Sequence, residues 1–268
     1  QCIWIGMEGS LFQYTPATGL MKPIDAFHNN SIKSLALDGD GNLLAGTDNG
    51  LYVYQNDNGT LQHIVHDSRN IQSLTNNIIW NIFADQEQNI WLGTDYGISL
   101  SRYNSALQFI PISQITGTGD GNQFYSLFRD SKGFYWFGGT NGVIRFTHPA
   151  GNKHDAIWYR MGDKNHPLSH NRIRHIYEDR EQQLWIATDG SINRYDYNTH
   201  QFVHYNIVDS TGTYNTNWAY YLFEDTDGKL WIATCLGGIF VVDKHKLIQS
   251  AGRSYVADQN YSIHNGLS

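Results

Sequence analysis

These 268 residues predict an all-β chain of repeated four-stranded meander sheets, and three observations carry the prediction. A tryptophan-centred motif returns about every 45 residues, an Asn and an Asp frame it at constant distances, and the composition favours strands and tight turns. Aromatic residues make up 14% and Gly fills 26 positions, whereas charged residues are 16%, against about 25% in an ordinary domain. β-Branched and aromatic side chains suit a pleated surface, and Gly, Asn and Asp suit turns, so few charged surface helices are expected.

The motif is fullest as Asn-Ile-Trp-Leu-Gly-Thr-Asp at 89–95, and its anchors stand at Trp4, Leu44, Trp91, Trp136, Trp185 and Trp231. The gaps are 40, 47, 45, 49 and 46 residues, too long for a leucine-rich repeat and too strand-rich for helical repeats. They suit the four-stranded blade of a β-propeller. Six residues before the last five anchors stand Asp38, Asp85, Asp130, Asp179 and Asp225; eight before each Asp stand Asn30, Asn77, Asn122, Asn171 and Asn217. Gly follows the anchor by six at Gly50, Gly97, Gly142 and Gly237, and by five at Gly9 and Gly190, where the turn is expected to be one residue shorter.

Each part of the unit has a mechanical reading. The stretch from Asn to Asp, for example Ile78 to Ala84, is the inner strand. Asp-x-x-Gly is a turn in which the carboxylate accepts backbone N–H bonds and Gly takes positive φ. Trp-x-Gly-Thr is the second strand, 97–103 typifies the third, and Leu107 to Ile112 the fourth, each paired with its sequence neighbour. One small sheet is marginal alone, so each must bury its faces against the next. The anchor tryptophans are therefore expected to pack between blades, and the Asn column to bond loops or the neighbouring blade. The expected blades are 1–27 (partial), 28–72, 73–117, 118–168, 169–213 and 214–258, with 259–268 leading into another. That is one propeller segment over 1–268, most of a seven-bladed ring with five whole blades and partial ones at its ends.

The rest of the sequence mainly excludes. A net charge of −7 argues against a nucleic-acid surface, which needs clustered Lys and Arg. No apolar run reaches the roughly 18–20 residues of a membrane helix. The two cysteines, Cys2 and Cys235, lie in no metal or redox spacing and read as small buried residues. The first residues start inside a strand with no signal peptide, as in a piece of a longer chain. No phosphate loop, nucleophile elbow or His-x-x-x-His pattern is present, and no metal or cofactor is expected.

The stretches Asn77 to Tyr103, Arg174 to Tyr195 and Tyr220 to Val242 resemble the two-component regulator propeller repeat, and its spaced copies cover essentially the whole chain. Departures are Leu44 for Trp, Ala187 and Ala233 for Gly, and Gln88 and Gln182 for the turn Gly. The resemblance implies a periplasmic sensor region of a hybrid two-component system. There, two propellers and an immunoglobulin-like domain precede a membrane helix and a histidine kinase, and the assembly is a homodimer. Members from Bacteroides-type bacteria sense oligosaccharides, so the resemblance implies a non-catalytic glycan sensor that touches the membrane only through that downstream helix.

Propellers bind ligands on loops entering the inner strands and on turns between second and third strands. Recurring positions serve the scaffold; differing ones are free to form a site. One and three residues after the Asn column the chain reads Ser31/Lys33, Ile78/Trp80, Gln123/Tyr125, Arg172/Arg174 and Trp218/Tyr220. Aromatic rings stack on the C–H face of a pyranose, and amides or guanidinium groups donate to hydroxyls. Trp80, Gln123, Tyr125, Arg172, Arg174, Trp218 and Tyr220, with His170 and the turn residue Tyr96, are the candidate contacts; Asn141, Asp189 and Cys235 are weaker ones. A glycosidase needs paired carboxylates; the variable inner-strand positions hold none, and the Asp column lies at the strand's other end. A polysaccharide lyase using Tyr125, His170, Arg172, Arg174 and His175 is the enzymatic alternative, and a protein-interaction platform the third.

Overall fold

The computed structural model describes residues 2–24, 27, 30–103, 109–116, 122–147, 155–164 and 167–263. The described residues group into two compact units, the first up to Leu127 and the second from Phe128 onward. Stacked sheets touch mainly their sequence neighbours, so a repeat array has no single core.

The first sheet has three strands, β1 (Ile3–Met7), β2 (Ser10–Thr15) and β3 (Leu20–Ile24). The second holds β4 (Ile32–Leu37), β5 (Leu43–Thr47), β6 (Gly50–Tyr54) and β7 (Leu61–Ile64). The third holds β8 (Ile79–Ala84), β9 (Ile90–Thr94), β10 (Gly97–Ser101) and β11 (Phe109–Pro111), followed by the short α1 (Ile112–Thr116). The fourth holds β12 (Phe124–Arg129), β13 (Tyr135–Gly139), β14 (Gly142–Phe146) and β15 (Ile157–Tyr159). The fifth holds β16 (Ile173–Glu178), β17 (Leu184–Thr188), β18 (Ser191–Asp196) and β19 (Gln201–Tyr205). After β20 (Ile207–Val208) come β21 (Ala219–Glu224), β22 (Lys229–Thr234), β23 (Ile239–Asp243), α2 (Lys244–Gln249), β24 (Tyr255–Val256) and β25 (Gln259–Tyr261). The sixth sheet runs β21-β22-β23-β25, and β20 pairs in parallel with β24. Among the described residues the chain thus has five four-stranded sheets and a three-stranded first one, the fold class the repeat predicts.

The Asp and Trp columns prove to be one device. Asp130 Oδ1 accepts the N–H groups of Lys132 and Phe134, closing the turn, while Oδ2 accepts Trp136 Nε1 at 2.7 Å. Asp85–Trp91, Asp179–Trp185 and Asp225–Trp231 repeat the indole bond at 2.9, 2.9 and 2.6 Å. Six residues is the separation that lets one carboxylate serve both the turn and the ring. Gln88 and Gln182 take the turn Gly's left-handed conformation, with φ of 63° and 61°.

The Gly of the second strand makes room for the next sheet. A Cβ on Gly46 would lie 2.7 Å from Ile79 Cγ2, and one on Gly6 2.5 Å from Ile32 Cγ2. Gly138 faces Ile173 in the same way. Where Ala187 replaces Gly, Ala219 replaces the facing Ile, and both are fully buried in one cluster. The departure at Ala187 is thus compensated across the seam. The Asn column also joins successive sheets, through its carbonyls: Gly50, Gly97 and Gly142 donate to Asn77, Asn122 and Asn171 at 2.7–2.8 Å.

Several expectations need correction. The turns at Gly9 and Gly190 are not shortened. Met7 pairs with Ser10 and Thr188 with Ser191, as Thr94 does with Gly97, because Gly9 (φ 74°) and Ser191 (φ 88°) supply the left-handed residue. At Gly237 the turn is longer, and Gly238 (φ 78°) takes that role. The fourth strand of the third sheet is β11; Leu107 and Gln108 lie outside the described residues, and Ile112 starts α1. Residues 259–261 do not lead into another blade but pair with β23, because α2 and β24 interrupt the meander and displace its fourth strand. The rest of that expected lead-in, 264–268, lies outside the described residues. Cys2 and Cys235 are free and exposed, not buried, since both stand on strand ends or turns rather than in the seams.

Candidate functional site

The inner strands carry a feature invisible in the repeat itself. In β4, β8, β16 and β21 the pairing register slips by one, between Ile32/Ser34, Ile79/Asn81, Ile173/His175 and Ala219/Tyr221. The extra residues are Lys33, Trp80, Arg174 and Tyr220. A β-bulge leaves one residue outside the ladder and re-aims its side chain. The bulge also explains why buried apolar residues stand three apart, as at Ile79 and Ile82 or Ile173 and Ile176, instead of two. The scaffold repeats the bulge, and the side chain on it differs each time.

In the first unit the bulge of β8 aims Trp80 at the β9–β10 turn. Its Nε1 donates to Asp95 Oδ1 at 2.9 Å, and Gln123 Nε2 donates to the same oxygen at 2.7 Å. Tyr125 donates its hydroxyl to Gln123 Oε1, and its ring meets Trp80 edge-on at 5.4 Å. Lys33 Nζ stands 4.5 Å from the centre of the Trp80 ring. Lys33, Trp80 and Tyr125 come from three successive inner strands and form one row. Tyr96 is exposed on the Asp95 turn, its N–H tied to Thr94 Oγ1 at 3.1 Å.

In the second unit Asp189, on the β17–β18 turn, holds Arg174 through Nε at 2.7 Å and Nη2 at 3.3 Å. Arg172 Nε is 3.9 Å from the same carboxylate, and the Arg174 guanidinium lies 4.5 Å from the centre of the Tyr220 ring. His170 Nδ1 accepts the Arg172 N–H at 3.0 Å, which folds the entry loop back on itself. Trp218 is 48% exposed and sits at φ 56°, the left-handed region that bulky residues avoid. Its backbone donates to the Asp189 carbonyl and accepts from Cys235 N. His175, next after the bulge, stacks on Tyr221 at 4.0 Å and accepts the Leu222 N–H; burial lowers its pKa to about 4, so it is neutral at pH 7.

The candidates therefore gather into two clusters, Trp80, Tyr96, Gln123 and Tyr125 in one unit and His170, Arg172, Arg174, Trp218 and Tyr220 in the other. Each is centred on a carboxylate four residues after its anchor Trp, Asp95 or Asp189. Asp48 stands at the same place after Leu44 and accepts Ser31 N at 2.9 Å. The sequence reading placed all recurrent carboxylates at the far end of the strand and passed over Asp48 and Asp95; the Thr-Asp pair after each second strand was the signal. Carboxylates do stand at this end, but they orient rings, amides and guanidinium groups. Asn141 accepts Arg160 Nε through its carbonyl at 3.3 Å, outside both clusters.

Comparison with known proteins agrees with this architecture. The two component regulator propeller family profile matches residues 73–96, 118–141, 167–190 and 213–235. No curated protein matches the chain. The extracellular domain of BT4673 from B. thetaiotaomicron, assigned as a hybrid two component system, is 84% identical over 100% of this chain, with a TM-score of 0.58. This chain spans 36% of that domain. The extracellular domain of BT3049 from the same organism shares the fold at 19% identity and TM-score 0.71, over 98% of this chain and 34% of its own. Virginiamycin B lyase from Staphylococcus aureus shares it at 13% identity and TM-score 0.54, over 85% of this chain and 71% of its own. The chain is an all-β protein of propeller-type blades, and its four matched stretches are two component regulator propeller repeats.

Proposed function

We propose that the chain is a non-catalytic, periplasmic sensor segment of a hybrid two-component signalling protein, and that it binds a glycan-derived oligosaccharide through its bulged inner-strand residues. The observation that carries this reading is the repeated bulge with a varied side chain. A fixed backbone device presents Lys33, Trp80, Arg174 and Tyr220 in turn, a diversified surface on a constant scaffold. The palette suits a sugar: rings for the C–H face, and an amide and guanidinium groups for hydroxyls. The likeness to the extracellular domain of BT4673 supports the location and the signalling role. In this reading the companion propeller, the immunoglobulin-like domain, the membrane helix and the histidine kinase belong to the longer protein, which acts as a homodimer. A ligand would shift the two subunits only through a difference in affinity between their arrangements.

The test is calorimetric titration with a panel of neutral and acidic oligosaccharides. One of them binds saturably, and Trp80→Ala or Arg174→Ala weakens it at least about tenfold, the loss of one good polar or stacking contact. The same mixtures assayed for unsaturated products test the lyase reading; product formation would overturn the non-catalytic one.

A further inference from the structure

Two seams between successive sheets are built on the same plan and filled differently. In the second unit, between the fourth and fifth sheets, Trp136 is fully buried and packs against Tyr195 at 4.7 Å, Tyr159 at 5.8 Å and Phe202 at 6.4 Å. In the first unit, between the second and third sheets, Leu44 stands where Trp136 does. Ser101, ten after its anchor, stands where Tyr195 does, and Val53 where Arg145 does. Three large side chains have been replaced by small ones, and a groove of about 400 Å³ is left. Its floor is Leu44, Val53, Ile90 and Phe109, and its rim includes Asp38, Asn42 and Gln88.

The polar end of this groove is preserved. Asn42 Nδ2 donates to Asp38 Oδ2 at 2.9 Å, as Asn89 Nδ2 does to Asp85 Oδ2 at 3.0 Å. On Asp85 the same oxygen also accepts Trp91 Nε1. Leu44 has no side-chain N–H to give, and Asp38, like Asp225, is partly exposed where Asp85, Asp130 and Asp179 are buried. The groove therefore keeps an acceptor placed for a ring-edge donor above an apolar floor, under a largely polar rim, without the ring.

We infer that this groove is a binding site for a small planar aromatic molecule with an N–H or O–H donor on its edge, an indole or a phenol. The ligand lies where the other seams hold their own indole, and its donor reaches Asp38 Oδ2. The site is separate from the bulge clusters and does not depend on the sensor reading. Small-molecule sites are clefts that join an apolar surface to a few placed polar groups, as the floor and rim of this groove do.

The test is titration of the whole chain with indole, followed by calorimetry or chemical shifts. Indole binds saturably at one site, and 1-methylindole, which lacks the N–H, binds about tenfold more weakly or worse, as expected for a lost bond to a carboxylate. Leu44→Trp fills the groove, abolishes indole binding and raises the melting temperature. Should that variant misfold, Ser101→Tyr fills the same space from β10 and abolishes binding as well. Absence of saturable indole binding, equal affinity for 1-methylindole, or unchanged binding in a folded Leu44→Trp or Ser101→Tyr protein would overturn the inference.

Discussion

The two ends of each inner strand follow opposite rules. At the Asp end the same residues recur, and the same hydrogen bonds recur with them: turn N–H groups on one carboxylate oxygen, an indole on the other. At the bulge end the backbone recurs and the side chains do not. The difference separates what stacks the sheets from what the stack presents. The Asp end should govern stability and leave oligosaccharide affinity alone; the bulge end should do the reverse.

The sharpest break of that contrast is Trp136→Ala. It removes a fully buried indole from a seam of rings and a bond to Asp130, and should cost about 3–5 kcal/mol in denaturant unfolding. A loss below about 1 kcal/mol would mean the Asp end does not hold the seam.

His175, next to the bulge but turned into the packing between sheets, gives the next effect, one of pH. Its folded pKa, about 4, is below the usual His value, so the unfolded chain takes the proton first as pH falls. Stability present above about pH 6.5 is lost progressively between 6.5 and 4, by up to a few kcal/mol. His175→Phe keeps a ring against Tyr221 and removes the titration, so its stability should stay flatter across that window in an acid unfolding series.

Gly138→Ala should cost about 1–3 kcal/mol by crowding Ile173. Adding Ile173→Ala should recover part of it, reproducing the natural Ala187–Ala219 pair. A double-mutant cycle with no coupling would remove this account of the second-strand Gly.

Trp218→Gly is the smallest effect and has the opposite sign. A non-Gly residue at φ 56° carries strain of order 1 kcal/mol, so Gly should leave stability equal or raise it slightly, while an exposed stacking ring is lost. A marked loss of stability would place Trp218 with the scaffold.

The sequence was informative where physics repeats. The spacing of Asp85, Asp130, Asp179 and Asp225 to their anchors is a hydrogen bond seen six residues apart, and a column of such bonds leaves a column of letters. The bulge left a fainter trace, the three-residue step from Ile79 to Ile82, which a search for strict alternation passes over because register belongs to two strands rather than one. Asp95 and Asp189 were hard to separate from the turn for a similar reason: a Thr-Asp pair reads as turn chemistry until the partner side chain, Trp80 or Arg174, is seen against it. The displaced strand β25 was not legible at all, since nothing in Gln259–Tyr261 marks a return to β23 after α2.

The central claim is that the bulged, varied residues bind an oligosaccharide while the recurrent ones hold the sheets. The direct test is calorimetric titration of the best-binding oligosaccharide into the native protein, Trp80→Ala and Arg174→Ala, with unfolding measured on the same samples. The account predicts at least about a tenfold loss of affinity in one or both variants, with stability changed by about 1 kcal/mol or less. Unchanged affinity in both variants, or no saturable binding of any oligosaccharide, would contradict it.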